Sequence, residues 1–270
     1  MNVKRSLAIM KKDLKEAFSN NQIMLPMLLV PLIFVGIMPT VMILTMRYGA
    51  NNQTQQFVQA VKHLPAGAIP STIHGLNEQM VYFMTVYLFA AFFLLIPVMV
   101  SMMISANSFA GEKERKTLEG ILYTPVTDRE LIMGKIMASF VPAMIVSWIC
   151  FALYTVVVNA LGFPILKTIF FPTLNWWLLM AWVVPTTSLL IIGITVMISA
   201  RVKGYQEANS IAGAVVLPFV GFVVAQASGV MYFSLGIVFL VGLLFAIIDA
   251  VMLWMLVGAF HRDRLVAFIK

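Results

Sequence analysis

Charge is what this sequence has least of. Asp, Glu, Lys and Arg make up 11% of its 270 residues, against 61% hydrophobic residues. A soluble domain carries roughly 25% charge, so a water-soluble globular enzyme is excluded. Uninterrupted apolar runs longer than about 18 residues point instead to a polytopic helical membrane protein, and the same composition excludes a largely disordered chain. Cysteine is almost absent. Cys150 stands alone inside an apolar run, so the chain forms no internal disulfide and offers no thiolate metal site. Nucleotide-binding and hydrolytic motifs are missing as well. The nearest approach to a phosphate-binding loop is Gly111-Glu112-Lys113-Glu114-Arg115-Lys116-Thr117. It lacks the second glycine and puts two carboxylates where backbone N–H groups would cradle phosphate. His63, His74 and His261 fall in loops or the tail, outside any H-E-x-x-H, and no G-x-S-x-G occurs. No catalytic residue, metal ligand or cofactor is therefore assigned to this chain; ATP, if used, is bound by another.

What is present is an all-α layout of six spans behind an amphipathic segment. On a wheel of about 100° per residue, Val3, Leu7, Met10, Leu14, Ala17 and Phe18 share an arc of about 100°. Lys4, Arg5, Lys11, Lys12 and Lys15 lie elsewhere. Residues 1–20 thus read as an interfacial helix. The following apolar run exceeds the roughly 7 to 15 residues of a signal core and shows no small-x-small cleavage site, so it reads as an uncleaved first span. The spans are placed at 23–46, 79–105, 131–161, 174–199, 210–226 and 233–260, in a single permease-like domain covering 1–270. The connection after the first span, with Asn51, Asn52, Gln53, Pro65 and Pro70, is too polar to lie in lipid.

An even number of spans puts both termini on one side, and basic residues test which side that is. Fifteen of the eighteen Lys and Arg fall on the terminus side; Arg47, Lys62 and Lys167 fall on the other. Lys and Arg concentrate in cytoplasmic loops, so both termini are predicted cytoplasmic. The net charge of +7 is then explained by orientation and by anionic membrane lipids as partners, with no role for nucleic acid.

The cytoplasmic segment 107–129 carries the most information. Pro125 disfavours helix at Thr124, and Thr127 with Glu130 three residues on predicts a capping box opening the third span. Leu118, Ile121 and Leu122 form an apolar edge at helical spacing, while Glu112, Glu114, Arg115 and Glu119 stay polar. Two readings stand on these residues alone: a solvated loop that enforces topology, or an amphipathic helix that meets a soluble partner.

The run from Glu112 to Lys135, with E-x-E-R-x-T-L-E-x-x-L-x-T-P followed by a polar turn, Glu130-Leu131 and Gly134-Lys135, resembles the loop between spans two and three in permease subunits of the type-2 export family of ABC transporters. The six-span layout with a leading amphipathic helix resembles that family over essentially the whole chain. Where the family often has a glycine before Thr-Leu-Glu, this chain has Lys116, a departure at the start of the helix. It also lacks a large extracellular domain. The resemblance implies that Glu112, Glu114, Arg115, Thr117, Leu118 and Glu119 belong to a coupling segment docking on a separate cytoplasmic ABC ATPase subunit, which binds ATP and Mg. It further implies a second permease copy, expected as a homodimer, in a bacterial cell (plasma) membrane. The expected cargo is a hydrophobic or amphipathic compound such as a drug, peptide or lipid, moved outward. Extrusion of sodium or another cation, and a non-transporting scaffold or sensor, are the alternatives.

Within the membrane, Asp249 reads as the only ionisable residue well inside a span. An unpaired carboxylate at the bilayer centre costs about 2.5 to 3.5 kcal/mol on insertion scales, so it is expected to face protein or water. It is either a polar point on the substrate path or a carboxyl at a helix contact. Prolines in spans one to five suit kinked, moving helices but are also common in membrane helices generally. Gly221, Ala225 and Gly229 give small residues at every fourth position, a close-packing face.

Overall fold

The computed structural model describes residues 3–48, 68–71, 73–117, 126–202, 204–227 and 234–259. Among these, regular structure is entirely helical, and six helices are long and apolar enough to cross a membrane. Helix α1 spans Val3–Ser19, α2 Asn21–Tyr48, α3 Leu76–Glu114, α4 Asp128–Leu166 and α5 Leu174–Ser199. The fifth span is built from α6, Tyr205–Gly213, and α7, Val216–Ala227; α8, Leu235–Ala259, completes the set.

Local chemistry sets several of these ends. Asn20 breaks α1 from α2 and caps the latter, its Oδ1 accepting from the Gln22 N–H at 3.0 Å. At the start of α4 the capping box forms: Thr127 Oγ1 accepts from the Glu130 N–H at 3.4 Å and the Thr127 N–H donates to Glu130 Oε2 at 3.1 Å. Lys167 ends α4 in the left-handed region, its N–H returning to the Phe163 carbonyl.

Helix α3 is the most buried of the six spans. It runs on past Ser105, where polarity suggested that the second span stops. Asn107–Gly111 forms a π-helical turn that continues the helix to Glu114. The reason is that Asn107 and Ser108 are buried against protein, so neighbouring side chains, not water, solvate them. A second π-helical segment, Met84–Leu88, lies higher in α3. Two of its carbonyls take donors from other helices: Tyr154 Oη donates to Thr85 O and the Trp176 indole N–H to Val86 O, both at 2.8 Å. These two side chains anchor an aromatic cluster with Phe93, Phe151 and Phe171 that welds α3, α4 and α5. Pro39 and Pro185 each follow a π-helical segment, Leu32–Ile37 and Leu179–Val183, which contains the carbonyl that the missing proline N–H leaves without a donor. Helices α2, α7 and α8 lie outside this core, with Leu28, Leu217 and Leu240 among their exposed side chains, as lipid-facing surfaces require.

Helix α1 divides into stripes. Ser6, Ile9, Asp13 and Ala17 face the bundle and are buried. Beside them lie the exposed Val3, Leu7 and Phe18, and Lys4, Lys11 and Lys15 occupy the next sector at about 100° per residue. The buried stripe differs from the apolar arc read from the wheel, sharing only Ala17 with it. An arc chosen by hydrophobicity finds the surface that suits lipid; the bundle-facing stripe holds a carboxylate because protein supplies its partners.

Candidate functional site

The end of the bundle where α1 packs is held by a cluster of charges. Gly134 permits the approach. A Cβ there would lie 2.8 Å from the Ser6 carbonyl oxygen and 3.0 Å from Ile9 Cβ, so α1 crosses α4 at a distance only glycine allows. Ser6 Oγ donates to the Glu130 carbonyl at 3.1 Å.

One residue further along, Lys135 points into the junction with 1% of its side chain exposed. Its ammonium lies 2.5 Å from Glu112 Oε2, 2.5 Å from the Ser108 carbonyl oxygen, 3.2 Å from Ser108 Oγ and 3.4 Å from Asp13 Oδ2. It also sits 5.1 Å from the centre of the Phe109 ring. Ser108 Oγ donates to Asp13, and Lys12 pairs with Glu112 from the rim. Two carboxylates and one ammonium are thus fully desolvated, and the second ammonium closes the charge balance from a half-exposed position. Removing one partner from such a set leaves an uncompensated buried charge, a cost of about 3–5 kcal/mol.

The charge of Lys12 responds to this setting. Partial burial works to lower its pKa, but the hydrogen bond and attraction of Glu112, aided by Asp13 and Glu16, outweigh it and raise the value above 10.5. Asp13, Glu16 and Glu112 bring carboxylate oxygens within 4.8 Å of one another, the spacing of a cation site. Lys12 and Lys135 pair with Glu112 and with Asp13, and Lys12 and Arg115 pair with Glu16, so these carboxylates form an internal ion-pair network.

The six residues assigned to the coupling segment are split by the structure. Glu112 is buried in the network just described. Lys113 and Glu114 turn to the connection between α5 and α6. Lys113 Nζ donates to the Val202 carbonyl at 2.9 Å, and Glu114 Oε2 accepts from the Tyr205 N–H at 2.9 Å. Gly204 leaves room for that carboxylate, which a Cβ would meet at 2.6 Å. Arg115 is exposed, pairs with Glu16, and donates to Asn107 Oδ1 at 3.2 Å. Lys116 and Thr117 are exposed. Lys116 has φ of 56°, the left-handed region that favours glycine. Leu118 and Glu119 lie outside the described residues, as does the expected apolar edge at Ile121 and Leu122.

Consecutive side chains of Glu112-Lys113-Glu114 therefore fasten one short segment to α1, α4 and the α5–α6 connection at once. Sequence reasoning missed Asp13, Ser108 and the inward role of Lys135, which it counted among loop cations. Asp13 pairs across 95 and 122 residues of chain; its only local sign was an acid off the apolar arc of a mostly basic helix.

Asp249 sits apart from this network, on α8. It is 5% exposed, and neither carboxylate oxygen has a hydrogen-bond partner among the described residues. Gly221 lies on the outer side of α7, with open space where a Cβ would be; Gly229 is outside the described residues.

A family model described as ABC-2 family transporter protein matches residues 48–228, a range that holds α3 to α7 and both Glu112 and Lys135. No match is found among curated proteins.

Proposed function

The chain belongs to the ABC-2 transporter family, and from that premise we propose that it is the membrane subunit of an exporter driven by a separate ATPase subunit docked beneath α3. It is a multi-pass permease of an ABC-type transporter. Membership in the family implies an ABC ATPase as its partner. The observation that carries the docking reading is the exposed turn Arg115-Lys116-Thr117 at the end of the most buried span, tied through Glu112, Lys113 and Glu114 to three other elements. A push on that turn is passed directly to α3 and, through Lys135, to α4. In this reading Arg115, Thr117, Leu118 and Glu119 supply the contact surface. Glu112 and Glu114 transmit from within the chain, since Glu112 is closed off from any partner.

Both termini are cytoplasmic in this reading, supported by the concentration of Lys and Arg on that side and by the meeting of α1, the Glu112 segment and the α5–α6 connection at one end of the bundle. The membrane is a bacterial plasma membrane, and two permease copies act together. Cargo is a hydrophobic or amphipathic compound leaving the cytoplasm, with Asp249 a polar point on its route. The lack of a hydrogen-bond partner for that buried carboxyl among the described residues supports the route reading.

The test is to purify the tagged chain under mild detergent, identify the ATPase subunit that accompanies it, and measure ATP hydrolysis and export. Glu114→Lys with Glu119→Lys is expected to uncouple hydrolysis from export or release the ATPase while the permease still inserts. Full assembly with undiminished export in that double variant would defeat the coupling assignment.

A further inference from the structure

Outside the ion-pair network, a cleft of about 440 Å³ opens between α5 and α8. Helix α5 contributes Ile194, Met197 and Ile198; α8 contributes Ile247, Val251 and Met255. The two helices run in the same direction: a Cβ on Gly242 would meet Trp182, and one on Gly193, eleven positions after that tryptophan, would meet Met252. The cleft therefore has one deep end, near Ile194 and Ile247, and one shallow end, near Met255 and Arg201. At about 1.5 Å per residue, Ile194 lies about 10 Å deeper than Arg201, most of the depth of one leaflet of a hydrocarbon core about 30 Å thick.

Arg201 is the single charged residue of the lining. It is exposed and has no acidic partner among the described residues. Its level is fixed by Lys113, which donates to the carbonyls of Ala200 and Val202 on either side of it. Arg201 thus stands at the end of the bundle that carries the charge network, at the rim of an apolar cleft whose walls include the exposed Ile247, Val251 and Met255.

We propose that this cleft binds an anionic phospholipid of the cytoplasmic leaflet, its acyl chain lying between α5 and α8 and its phosphate paired with Arg201. The leaflet rests on the orientation adopted above. Charge complementarity selects the occupant: a guanidinium with no acidic partner among the described residues offers charge-assisted, two-pronged hydrogen bonds to phosphate oxygens, and the walls below it are apolar. A neutral hydrophobic cargo leaves Arg201 unused. A small soluble anion leaves the cleft empty.

The probe is phosphatidylglycerol set against phosphatidylcholine, exchanged into the purified full-length chain, with bound lipid counted by native mass spectrometry. Retention of the anionic lipid is expected to exceed that of the zwitterionic lipid about fivefold, the effect of one cation at the headgroup level. Arg201→Gln, a change at an exposed side chain, is expected to bring the two to parity. Val251→Trp, which fills the cleft, is expected to lower retention of both. Equal retention in the unmodified chain, or an unchanged preference in Arg201→Gln, overturns the proposal. Displacement of the lipid by glycerol phosphate alone overturns it in favour of a free-anion site, and dissociation of a permease dimer on Val251→Trp overturns it in favour of a second copy as occupant. Orientation is read separately: in a Cys150→Ser background, Arg201→Cys should be shielded from an impermeant maleimide added to intact cells. Labelling from outside overturns the cytoplasmic leaflet and the orientation together, whatever the lipid preference.

Discussion

The ammonium of Lys135 lies 2.5 Å from Glu112 Oε2, and each side chain is 1% exposed. This pair ties the start of α4 to the end of α3 at the point where the exposed turn leaves the bundle. Lys135→Met and Glu112→Gln should each destabilise the chain by about 3–5 kcal/mol, and the double variant by less than the sum, because each single change strands the other's charge. Denaturant titration in mixed micelles measures this; strict additivity would show that the two side chains do not depend on each other.

Gly134→Val should push α1 off α4, since its Cβ would sit 2.8 Å from the backbone oxygen of Ser6 and no side chain can rotate away to relieve it. Overpacking of this kind costs about 1–3 kcal/mol. Faster tryptic cleavage at Lys11 and Lys12, with the rest of the bundle still protected, is the expected result. Unaltered cleavage would mean that the crossing tolerates a side chain.

Lys116→Gly should stabilise the chain by about 1 kcal/mol, because φ of 56° at Lys116 carries a Cβ penalty that glycine escapes. A higher unfolding midpoint with ATPase binding retained is expected. Destabilisation would place the lysine side chain in a contact that outweighs its backbone conformation.

For Lys12 the pH dependence follows from a raised pKa. A group whose folded value lies above its unfolded one contributes fully below the unfolded value and loses that contribution as pH rises through the folded one. The pairing with Glu112 should therefore hold across neutral pH and fade only above 10.5. Comparing Lys12→Met with the unmodified chain between about pH 8 and 11, the stability difference should shrink at the alkaline end. A difference lost near neutral pH would contradict the pairing.

Asp249→Leu should raise stability by about 2 kcal/mol, since it removes a buried carboxyl with no hydrogen-bond partner among the described residues, and should lower export while leaving ATPase assembly intact. Raised stability with normal export would reduce Asp249 to a helix-contact residue.

Composition and spacing alone were enough to determine the helical class, the six spans and the Thr127–Glu130 capping box, because hydrophobic length and local capping act over a few residues. The Gly134-Lys135 pair was visible as a motif, but its purpose was not. Whether a charge faces water or protein depends on what packs beside it, and Asp13, Glu112 and Lys135 meet only when helices far apart in the chain come together. The wheel of α1 picked out an apolar arc, of which Val3, Leu7 and Phe18 are exposed, and missed the stripe that contacts the bundle. Asn107 and Ser108 looked like the end of a span because polar residues usually leave the hydrocarbon, yet Arg115 and Lys135 solvate them within the protein. Hydrophobicity, summed along the chain, settled how many times it crosses the membrane; only tertiary packing decided which buried charges find partners, since Coulomb and hydrogen-bond energies depend on distances that no local pattern encodes.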